Sequence, residues 1–315
     1  MVIGNLKKIL NLPPGKIQIC IEHSGCLRLQ LDQAIAYLWE FEMIFDLDKA
    51  YDFSEQVIVI TGGTGVLLRP TVETLVSRGA QVVLIARTRR VDLMNDLAEL
   101  GKPVLFIPVD VCEKVQIEKA RDIILEKYGR VDVLINGAGG NRPEATTSDQ
   151  QRFFDIPVDA VQGVLDLNFA GLMFACQVFG EVMARQGDGV ILNISSMAGS
   201  KPLTRVVTYS AAKAAVNNLT QWLAVYLARE YSPRIRVNAL APGFLLTEQN
   251  RYLLRDEKGA LTTRGEQILT ATPMGGFGNR EDMVGPILWL ISDAARFVTG
   301  VVVSVDGGFS AFGGV

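Results

Sequence analysis

The sequence predicts an α/β fold, a single doubly wound parallel sheet of about seven strands with helices on both faces. From residue 56 onward, short apolar segments rich in β-branched residues alternate with segments of helix length and helical periodicity. Most of the short segments end in glycine or a polar residue. Continuous apolar strands that alternate with helices are typical of parallel sheets buried on both faces. A chain of 315 residues, 49% of them hydrophobic, is long enough to bury such a core.

Short stretches of sequence predict the first four strands and the three helices between them. The stretch "QVIVITGG", from residue 56, is the first strand, and a helix over Val66–Arg78 follows it. The second strand is "AQVVLIAR", with a helix over Val91–Leu100, and the third is "VLFIPVD", with a helix over Val115–Tyr128. The fourth strand, "VDVLINGAGG", breaks into glycines. These runs have the composition and length of buried strands.

Three more helix–strand pairs complete the sheet. Helices around Leu165–Ala184, Tyr209–Tyr231 and Asp282–Ile291 precede the strands "GVILNISS", "IRVNALAPG" and "GVVVSVDGG". In such sheets, ligands bind beyond the carboxyl ends of the strands. The polar and glycine groups that follow strand ends should therefore gather along one edge: Gly62–Gly65, Arg87, Asp110, Asn136–Gly140, Ser195–Ser196 and Pro242–Gly243.

Residues 1–42 do not fit this alternation. Apolar residues between Leu31 and Trp39 follow i, i+3, i+4, i+7, i+8 spacing, which permits one amphipathic helix. Met43 opens "MIFDLDKAYDFSEQVIVITGG", a sequence suited to the start of a domain. We predict an N-terminal appendage over 1–42 and a single domain over 43–315.

Composition excludes several classes of function. A net charge of −3 gives no basic surface for nucleic acid, and no uninterrupted apolar run approaches the roughly 18 residues of a membrane span. The four cysteines, Cys20, Cys26, Cys112 and Cys176, are scattered as in a cytoplasmic protein with reduced thiols. His23 is the only histidine, which argues against a histidine triad or a histidine-rich metal centre, and we predict no metal site.

Two features point to a dinucleotide. The stretch "VITGGTGVLL" places glycines between a buried strand and a helix, where backbone N–H groups can meet a pyrophosphate. Such turns also occur for tight packing alone. Arg87 ends the second strand, where the adenosine ribose would lie, and a basic residue there favours a 2′-phosphate. An ordinary solvated basic loop, with Arg89 and Arg90, is the alternative.

The stretch "VVTYSAAKAAV" places Tyr209 four residues before Lys213 in a small, apolar run. A phenol with a pKa near 10 is poorly matched to proton transfer at neutral pH. An ammonium one helical turn away, on the same face, can favour the phenolate. A single Tyr-x-x-x-Lys is common by chance, and Tyr209 could instead anchor a helix end while Lys213 reaches water.

The order of the motifs is more specific than any one of them. Ser196 lies thirteen residues before Tyr209, and Lys213 lies four after it. Over about residues 52–315 the sequence resembles the classical short-chain dehydrogenase/reductase family, which implies a Rossmann-type domain and NAD(P)-dependent interconversion of a carbonyl and a secondary alcohol. The motifs that carry the resemblance are Thr61-Gly62, Asp110, Asn136-Gly137-Ala138-Gly139, Asn168, Ser196, Tyr209, Lys213 and Pro242-Gly243.

The resemblance implies roles for these residues. Tyr209 would be the acid in reduction and the base in oxidation, Lys213 would also bind the nicotinamide ribose, and Ser196 would hold the substrate oxygen. Asn168 would hold a water in a proton relay. As alternatives, Ser196 could cap a turn and Asn168 could be a satisfied polar group of a helix.

The resemblance also implies a cofactor site, with NADP(H) favoured by Arg87 and NAD(H) as the alternative. Two departures stand out: Val66 and Leu68 replace the later glycines of Thr-Gly-x-x-x-Gly-x-Gly, and Gly137 replaces the second asparagine of Asn-Asn-Ala-Gly. Leu68 is expected to crowd the contact between helix and strand. The implied cofactor residues are Thr61, Gly62, Gly63, Gly65, Val66, Leu67, Arg87, Asp110, Val111, Asn136, Gly137, Ala138, Gly139, Tyr209, Lys213, Pro242, Gly243, Leu245 and Thr247.

Several stretches resemble the branch of this family described as fructuronate reductase or D-mannonate oxidoreductase: "NGAGGNRPEATT", "RVVTYSAAKAAVNNLTQWLAVYLA", "APGFLLTEQNR" and "VDGGFSAF". The implied substrate is a sugar acid. A carboxylate suits arginine forks and a polyol suits amides. Surface salt bridges to Glu144, Glu248 or Asp256 are the alternative for the arginines. The candidate substrate residues are Asn141, Arg142, Ser196, Arg205, Tyr209, Gln249, Asn250 and Arg251.

Other functions remain open at this stage. The substrate could be another small ketone or a 3-oxoacyl group, and the loss of glycine at Leu68 permits a non-catalytic, cofactor-binding regulatory protein. The helix over Tyr209–Tyr231 carries more apolar residues than one inward stripe needs. Because family members commonly pair this helix across a two-fold axis, the resemblance implies a homotetramer or homodimer.

Overall fold

The computed structural model describes residues 45–247 and 251–314. The predicted appendage over 1–42 and Met43 lie outside the described residues, as do Gln249 and Asn250 of the predicted substrate set. Contacts between residues divide the chain into two units, Met1–Leu47 and Asp48–Val315, and the second unit carries the sheet.

The sheet has seven parallel strands in the order β3-β2-β1-β4-β5-β6-β7, which confirms the predicted Rossmann-type, doubly wound fold. The order changes direction between β1 and β4, and in this class of fold ligands bind at that point. The strands are β1 (Val57–Thr61), β2 (Gln81–Ala86), β3 (Leu105–Pro108), β4 (Val133–Asn136), β5 (Gly189–Ile194), β6 (Ile235–Pro242) and β7 (Val302–Val305).

Helices connect the strands close to the predicted positions. The helix after β1 begins three residues later than predicted, and Pro70 lies in its first turn, where a proline removes no helical hydrogen bond. Two short helices between β6 and β7, α8 and α9, were not predicted. The helices are α1 (Leu47–Ala50), α2 (Arg69–Ser77), α3 (Val91–Leu100), α4 (Lys114–Tyr128), α5 (Val158–Leu165), α6 (Gly171–Gln186), α7 (Val207–Glu230), α8 (Arg251–Leu254), α9 (Thr263–Thr270) and α10 (Val284–Ile291).

A π-helical turn, Asp166–Ala170, joins α5 to α6. The combined helix, Val158–Gln186, has 29 residues, and its most apolar stretch has a mean hydropathy of 1.4, so its length and composition would allow it to cross a membrane. More than half of that stretch (56%) is buried inside the protein, as in the core helix of a soluble fold. The predicted helix over Leu165–Ala184 covers the π-helical turn and most of α6.

The core consists of two apolar layers, one on each face of the sheet. Ile58 and Ile60 of β1 belong to the layer that contains α2, whereas Val57 and Val59 belong to the layer that contains α4 and α6. Successive side chains of a strand point to opposite faces, and all five residues of β1 are buried. Because both faces are covered, the carboxyl ends of the strands are the part of the sheet left to form a site.

Candidate active site

A cavity of about 650 Å³ lies at the carboxyl ends of the strands, within the size range of small-molecule sites. Most of the predicted cofactor residues line it: Gly62, Gly65, Val66, Leu67, Arg87, Asp110, Val111, Gly137, Ala138, Gly139, Tyr209, Lys213, Pro242, Gly243, Leu245 and Thr247. Ser196 and Asn141 line it as well. Thr64, Gly140 and Ser195, which belong to the strand-end groups expected along this edge, line it too. Residues that sequence reasoning missed are Leu68, Ile85, Ala86, Thr88, Val109, Leu167 and Ile194. Each lies within two positions of a predicted residue, so wider windows at each strand end would have found them.

The glycine turn after β1 packs directly on the loop after β4. Gly62 has φ +67°, and a Cβ added there would lie 2.6 Å from the backbone nitrogen of Ala138. The Gly65 N–H donates to the Gly62 carbonyl over 2.9 Å, which closes the turn. Here the cavity wall is backbone without side chains, and a pyrophosphate can approach such a surface closely. The turn therefore fits the phosphates of a dinucleotide.

The two departures from the family pattern occupy the same space. Leu68 is almost completely buried, at 2% exposure, and a Cβ added to Gly137 would lie 2.2 Å from its Cδ1 atom. An asparagine at 137, as in the usual motif, would collide with this side chain. Gly137 therefore accommodates Leu68, and the crowding expected from Leu68 is relieved by the absence of a side chain across the turn.

Three predicted cofactor residues, Thr61, Gly63 and Asn136, do not line the cavity. The Asn136 side chain is buried behind the wall, where its Nδ2 donates to Asn193 Oδ1 over 2.9 Å and to Cys176 Sγ over 3.2 Å. Thr61 Oγ1 accepts the Ala138 N–H over 3.3 Å. These side chains fix the β4 loop from within the protein, and the sequence pattern did not indicate which way they point.

Ser196, Tyr209 and Lys213 come together at one end of the cavity. Ser196 follows β5, and its Oγ accepts the Ala198 N–H over 3.1 Å, so it caps a turn as well as facing the cavity. Lys213 Nζ lies 5.6 Å from the centre of the Tyr209 ring and donates to the Ile194 carbonyl over 2.8 Å. The spacing of these residues in the sequence thus becomes a cluster of hydroxyl, phenol and ammonium.

Burial dominates the electrostatics of this cluster. It lowers the pKa of Lys213 to about 8, which leaves the side chain mostly charged at neutral pH. Burial also raises the pKa of the Tyr209 phenol, while a hydrogen bond with Ser196 acts in the opposite direction. The phenol is therefore protonated at neutral pH and available as a proton donor.

Asn168 lies in the π-helical turn and supports the cavity from outside. Its Nδ2 donates to the carbonyls of Gly140 and Val164 over 2.6 and 2.8 Å, and its Oδ1 accepts the Gly140 N–H over 3.1 Å. A Cβ added to Gly139 would lie 2.9 Å from Asn168 Oδ1 and 3.5 Å from Lys213 Nζ. The side chain is thus a satisfied polar group that holds the β4 loop beside Lys213. π-Helical turns are frequent at functional sites.

The arginines of the predicted substrate set lie outside the cavity lining. The Arg142 guanidinium covers Gly163 on α5, where an added Cβ would lie 2.4 Å from its Cζ atom. Arg205 forms an ion pair of 3.8 Å with Asp149, a partner that was not among the carboxylates considered above. Arg251 is exposed at the start of α8. Of the members of the set that the structure describes, Asn141, Ser196 and Tyr209 line the cavity.

The site combines a cleft that fits a dinucleotide with a proton donor at one end. In the described ranges, 45–247 and 251–314, no three His, Cys, Asp or Glu side chains come together as metal ligands. A phenol, a hydroxyl and an ammonium at the end of a nucleotide cleft are suited to proton transfer beside a hydride carrier.

Known proteins share both the sequence and the fold. A family model described as Enoyl-(Acyl carrier protein) reductase matches residues 69–310. The chain is 41% identical to the uncharacterized oxidoreductase UxuB of Bacillus subtilis, over 82% of this chain and 95% of that protein. It is 30% identical to the 2-dehydro-3-deoxy-D-gluconate 5-dehydrogenase of Escherichia coli, over 84% of this chain and 98% of that one.

A solved structure from Haemophilus influenza, provisionally described as a D-mannonate oxidoreductase, contains bound NAD. It matches with a TM-score of 0.78 and 40% identity, over 84% of this chain and 99% of its own. The order of the motifs, the order of the strands and the matches over nearly the full length of these relatives lead to one conclusion. The chain belongs to the short-chain dehydrogenase/reductase family and is an NAD(P)-dependent oxidoreductase.

Proposed function

We propose that the protein interconverts the carbonyl and the secondary alcohol of a sugar acid, by a reaction of the D-fructuronate to D-mannonate type. The observation that carries this proposal is the 40% identity to the Haemophilus protein provisionally described as a D-mannonate oxidoreductase. A second relative, at 30% identity, is named as a dehydrogenase of another sugar acid. The residues that line the cavity indicate only that the substrate carries a carbonyl or an alcohol, and the comparison with these relatives adds the substrate class.

In this mechanism Tyr209 moves the proton and Ser196 positions the oxygen. A bound nicotinamide supplies the hydride in reduction and accepts it in oxidation. The Tyr209 phenol donates its proton to the substrate oxygen in reduction, and the phenolate takes that proton back in oxidation. The Ser196 hydroxyl donates a hydrogen bond to the same oxygen and polarises the carbonyl. Burial raises the pKa of Tyr209, so the phenol carries its proton at neutral pH, but the higher pKa also makes it a weaker acid than a free phenol.

Lys213 stabilises the phenolate once the proton has left Tyr209. Its ammonium is held beside the ring by the Ile194 carbonyl, and the low polarity of its surroundings strengthens its attraction to a negative oxygen. With its pKa lowered to about 8, Lys213 retains its charge at neutral pH. Asn168 holds the neighbouring loop, and its role in a water-mediated relay stays a prediction.

A substrate panel tests the proposal. Purified protein is assayed with keto-uronates and hexonates, neutral ketoses and polyols, and a 3-oxoacyl thioester, each with both nicotinamide cofactors. We expect the highest kcat/KM for a keto-uronate or its hexonate. A higher kcat/KM for the thioester or for a neutral ketone would assign the protein to one of the alternative substrate classes. Hydride transfer to none of them would favour a regulatory protein that binds cofactor without turnover.

We also propose that NADP(H) is the preferred cofactor, although the Haemophilus relative contains NAD. Arg87 and Thr88 line the cavity after β2, and Ala86 offers no carboxylate to repel a 2′-phosphate. Arg87→Ala should raise KM for NADPH about tenfold, the loss of about 1.4 kcal/mol, and change KM for NADH little. Arg90, which is paired with Asp92, is the matched control. Better use of NADH by the wild type, with no effect of Arg87→Ala, would contradict the proposal.

For assembly we propose a homodimer or homotetramer in the cytoplasm. Trp222 and Tyr226 of α7 are stacked with ring centres 4.8 Å apart, and Trp222 is 57% exposed. Exposed aromatic residues of this kind are typical of protein interfaces. Light scattering of the wild type at micromolar concentration should give a multiple of 34.4 kDa, and Trp222→Glu should lower it. A wild type that is already monomeric would contradict the assembly.

A further inference from the structure

Asn217 joins α7, the helix that also carries Tyr209, to both sides of the loop that carries Ser196. Its Oδ1 accepts a hydrogen bond from Ser195 Oγ over 2.5 Å, and its Nδ2 donates to Ser200 Oγ over 3.4 Å. Ser195 directly precedes Ser196, lines the cavity and is 2% exposed. A buried hydroxyl needs a hydrogen-bond partner, and this one finds its partner on the helix that supplies the proton donor.

The loop after β5 also packs on α7 through its backbone. Residues Met197–Gly199 form a short helical turn, and a Cβ added to Gly199 would lie 2.7 Å from the Lys213 carbonyl oxygen and 2.8 Å from Asn217 Nδ2. At the start of the loop, Lys213 Nζ donates to the Ile194 carbonyl over 2.8 Å. Because no side chain fits at Gly199, the backbone of the loop lies directly on the helix.

The spacing along α7 places Asn217 behind the reacting end of the cavity. Tyr209, Lys213 and Asn217 follow one another at intervals of four residues, so they lie on one side of the helix in successive turns. Tyr209 and Lys213 line the cavity, whereas Asn217 lies outside its lining, about 12 Å along the helix axis from Tyr209. Any effect of Asn217 on the reaction therefore passes through the loop or the helix and not through contact with the substrate.

We propose that Asn217 is a positioning residue that holds Ser196 where its hydroxyl meets the substrate oxygen. The Ser196 hydroxyl accepts the Ala198 N–H within the loop, so its direction depends on where the loop lies on α7. A hydrogen bond polarises a carbonyl only when it is aimed at the oxygen, and a displacement of about 1 Å can cost about 10²-fold in rate. The inference rests on the role proposed above for Ser196 and does not depend on a sugar-acid substrate.

A double-mutant cycle tests whether Asn217 acts through Ser196. Single-turnover rates are measured for the wild type, Asn217→Ala, Ser196→Ala and the double variant, with the member of the substrate panel above that has the highest kcat/KM. We expect each single change to lower the rate about tenfold or more, and the double variant to be no slower than Ser196→Ala alone. Asn218→Ala, at the neighbouring exposed asparagine of α7, is the matched control and should leave the rate unchanged.

Two further variants separate positioning from a general weakening of the fold. Asn217→Asp keeps an oxygen that can accept from Ser195, so its rate should stay within about threefold of the wild type. Ser195→Ala removes the same hydrogen bond without leaving a buried hydroxyl unpaired, and it should lower the rate as Asn217→Ala does. The dissociation constant of the reduced cofactor, measured by calorimetry, should be the same in Asn217→Ala and Asn217→Asp as in the wild type.

The outcomes distinguish the inference from the function on which it rests. A wild-type rate or a loss of cofactor binding in Asn217→Ala, additive effects in the cycle, or an Asn217→Asp variant as slow as Asn217→Ala would overturn the inference and leave the proposed function standing. If Ser196→Ala reacted as fast as the wild type, the role of Ser196 and the inference would both be wrong. A wild type that converts no member of the panel would also overturn both.

Discussion

The glycine turn after β1 and the Ser196–Tyr209–Lys213 cluster face the same cavity, yet only the turn departs from the family pattern. In the turn, Leu68 replaces a glycine, and Gly137 across from it has lost the side chain that would collide with Leu68. The cluster keeps every residue at its usual spacing. The space between the turn and the β4 loop can be filled by a side chain at position 68 or at position 137, so the two positions can exchange. The proton donor cannot be exchanged in this way, because the chemistry requires the phenol itself.

The two regions also differ in what their environment does. The Leu68 side chain packs in an apolar layer with Ile60 and Val72, so its burial stabilises the fold. Burial of Lys213 destabilises the fold instead, because it removes the ammonium charge from water. The same burial lowers the pKa of Lys213 to about 8. The turn therefore contributes stability, while the catalytic cluster costs stability in return for chemistry.

The largest effect should come from removing the phenolic oxygen. Tyr209→Phe is expected to lower kcat by 10²- to 10⁴-fold, about 3–5 kcal/mol, because it removes the O–H that gives its proton to the substrate oxygen. Single-turnover kinetics with either cofactor measure the chemical step directly. Tyr128→Phe, at the end of α4 and outside the cavity lining, is the control for loss of a phenol. A folded Tyr209→Phe enzyme with a kcat like that of the wild type would contradict the mechanism.

The next effect concerns the charge of Lys213. Its folded-state pKa of about 8 lies below the usual 10.5, so the unfolded chain binds more protons between these two pH values. The free-energy cost of burying the charged Lys213 side chain is present in full below pH 8 and disappears as the pH rises to about 10.5. The free energy of unfolding should therefore increase with pH between these values. The free energy of unfolding of the wild type should rise relative to that of Lys213→Met by roughly 3 kcal/mol.

Urea titrations of the cofactor-free protein at several pH values check this difference. Lys119→Met, at an exposed position on α4, controls for the loss of a lysine at the surface. If the unfolding free energies of the wild type and Lys213→Met ran parallel from pH 8 to 10.5, the Lys213 ammonium would not be destabilised in the folded state.

The smallest effect is expected from a variant that tests whether Gly137 makes room for the Leu68 side chain. Gly137→Asn should lower the free energy of unfolding by about 1–3 kcal/mol, because its Cβ would overlap the buried Leu68 side chain. In a Leu68→Ala background the same change should cost much less. Gly140→Asn in the same loop is a matched control, since the nearest atom to a Cβ there is 3.9 Å away. Additive effects of the two changes in a double-mutant cycle would refute the coupling.

Sequence reasoning was most successful where local pattern decides the structure. The seven strands follow from runs of apolar residues, and the residues after their ends, such as Arg87 and Asp110, come to one edge because parallel strands share a direction. Periodicity did not predict α8 and α9, because both are short and their stability comes from packing on each other.

The sequence by itself determined the fold class, the family and the spacing of Ser196, Tyr209 and Lys213, since these depend on residue types in order along the chain. The tertiary structure decided which side chains face the cavity. It placed Asn136 behind the wall, Arg142 over α5, and Gly137 against Leu68. Those outcomes depend on close packing between segments distant in sequence, and periodicity along the chain carries no information about contacts of that kind.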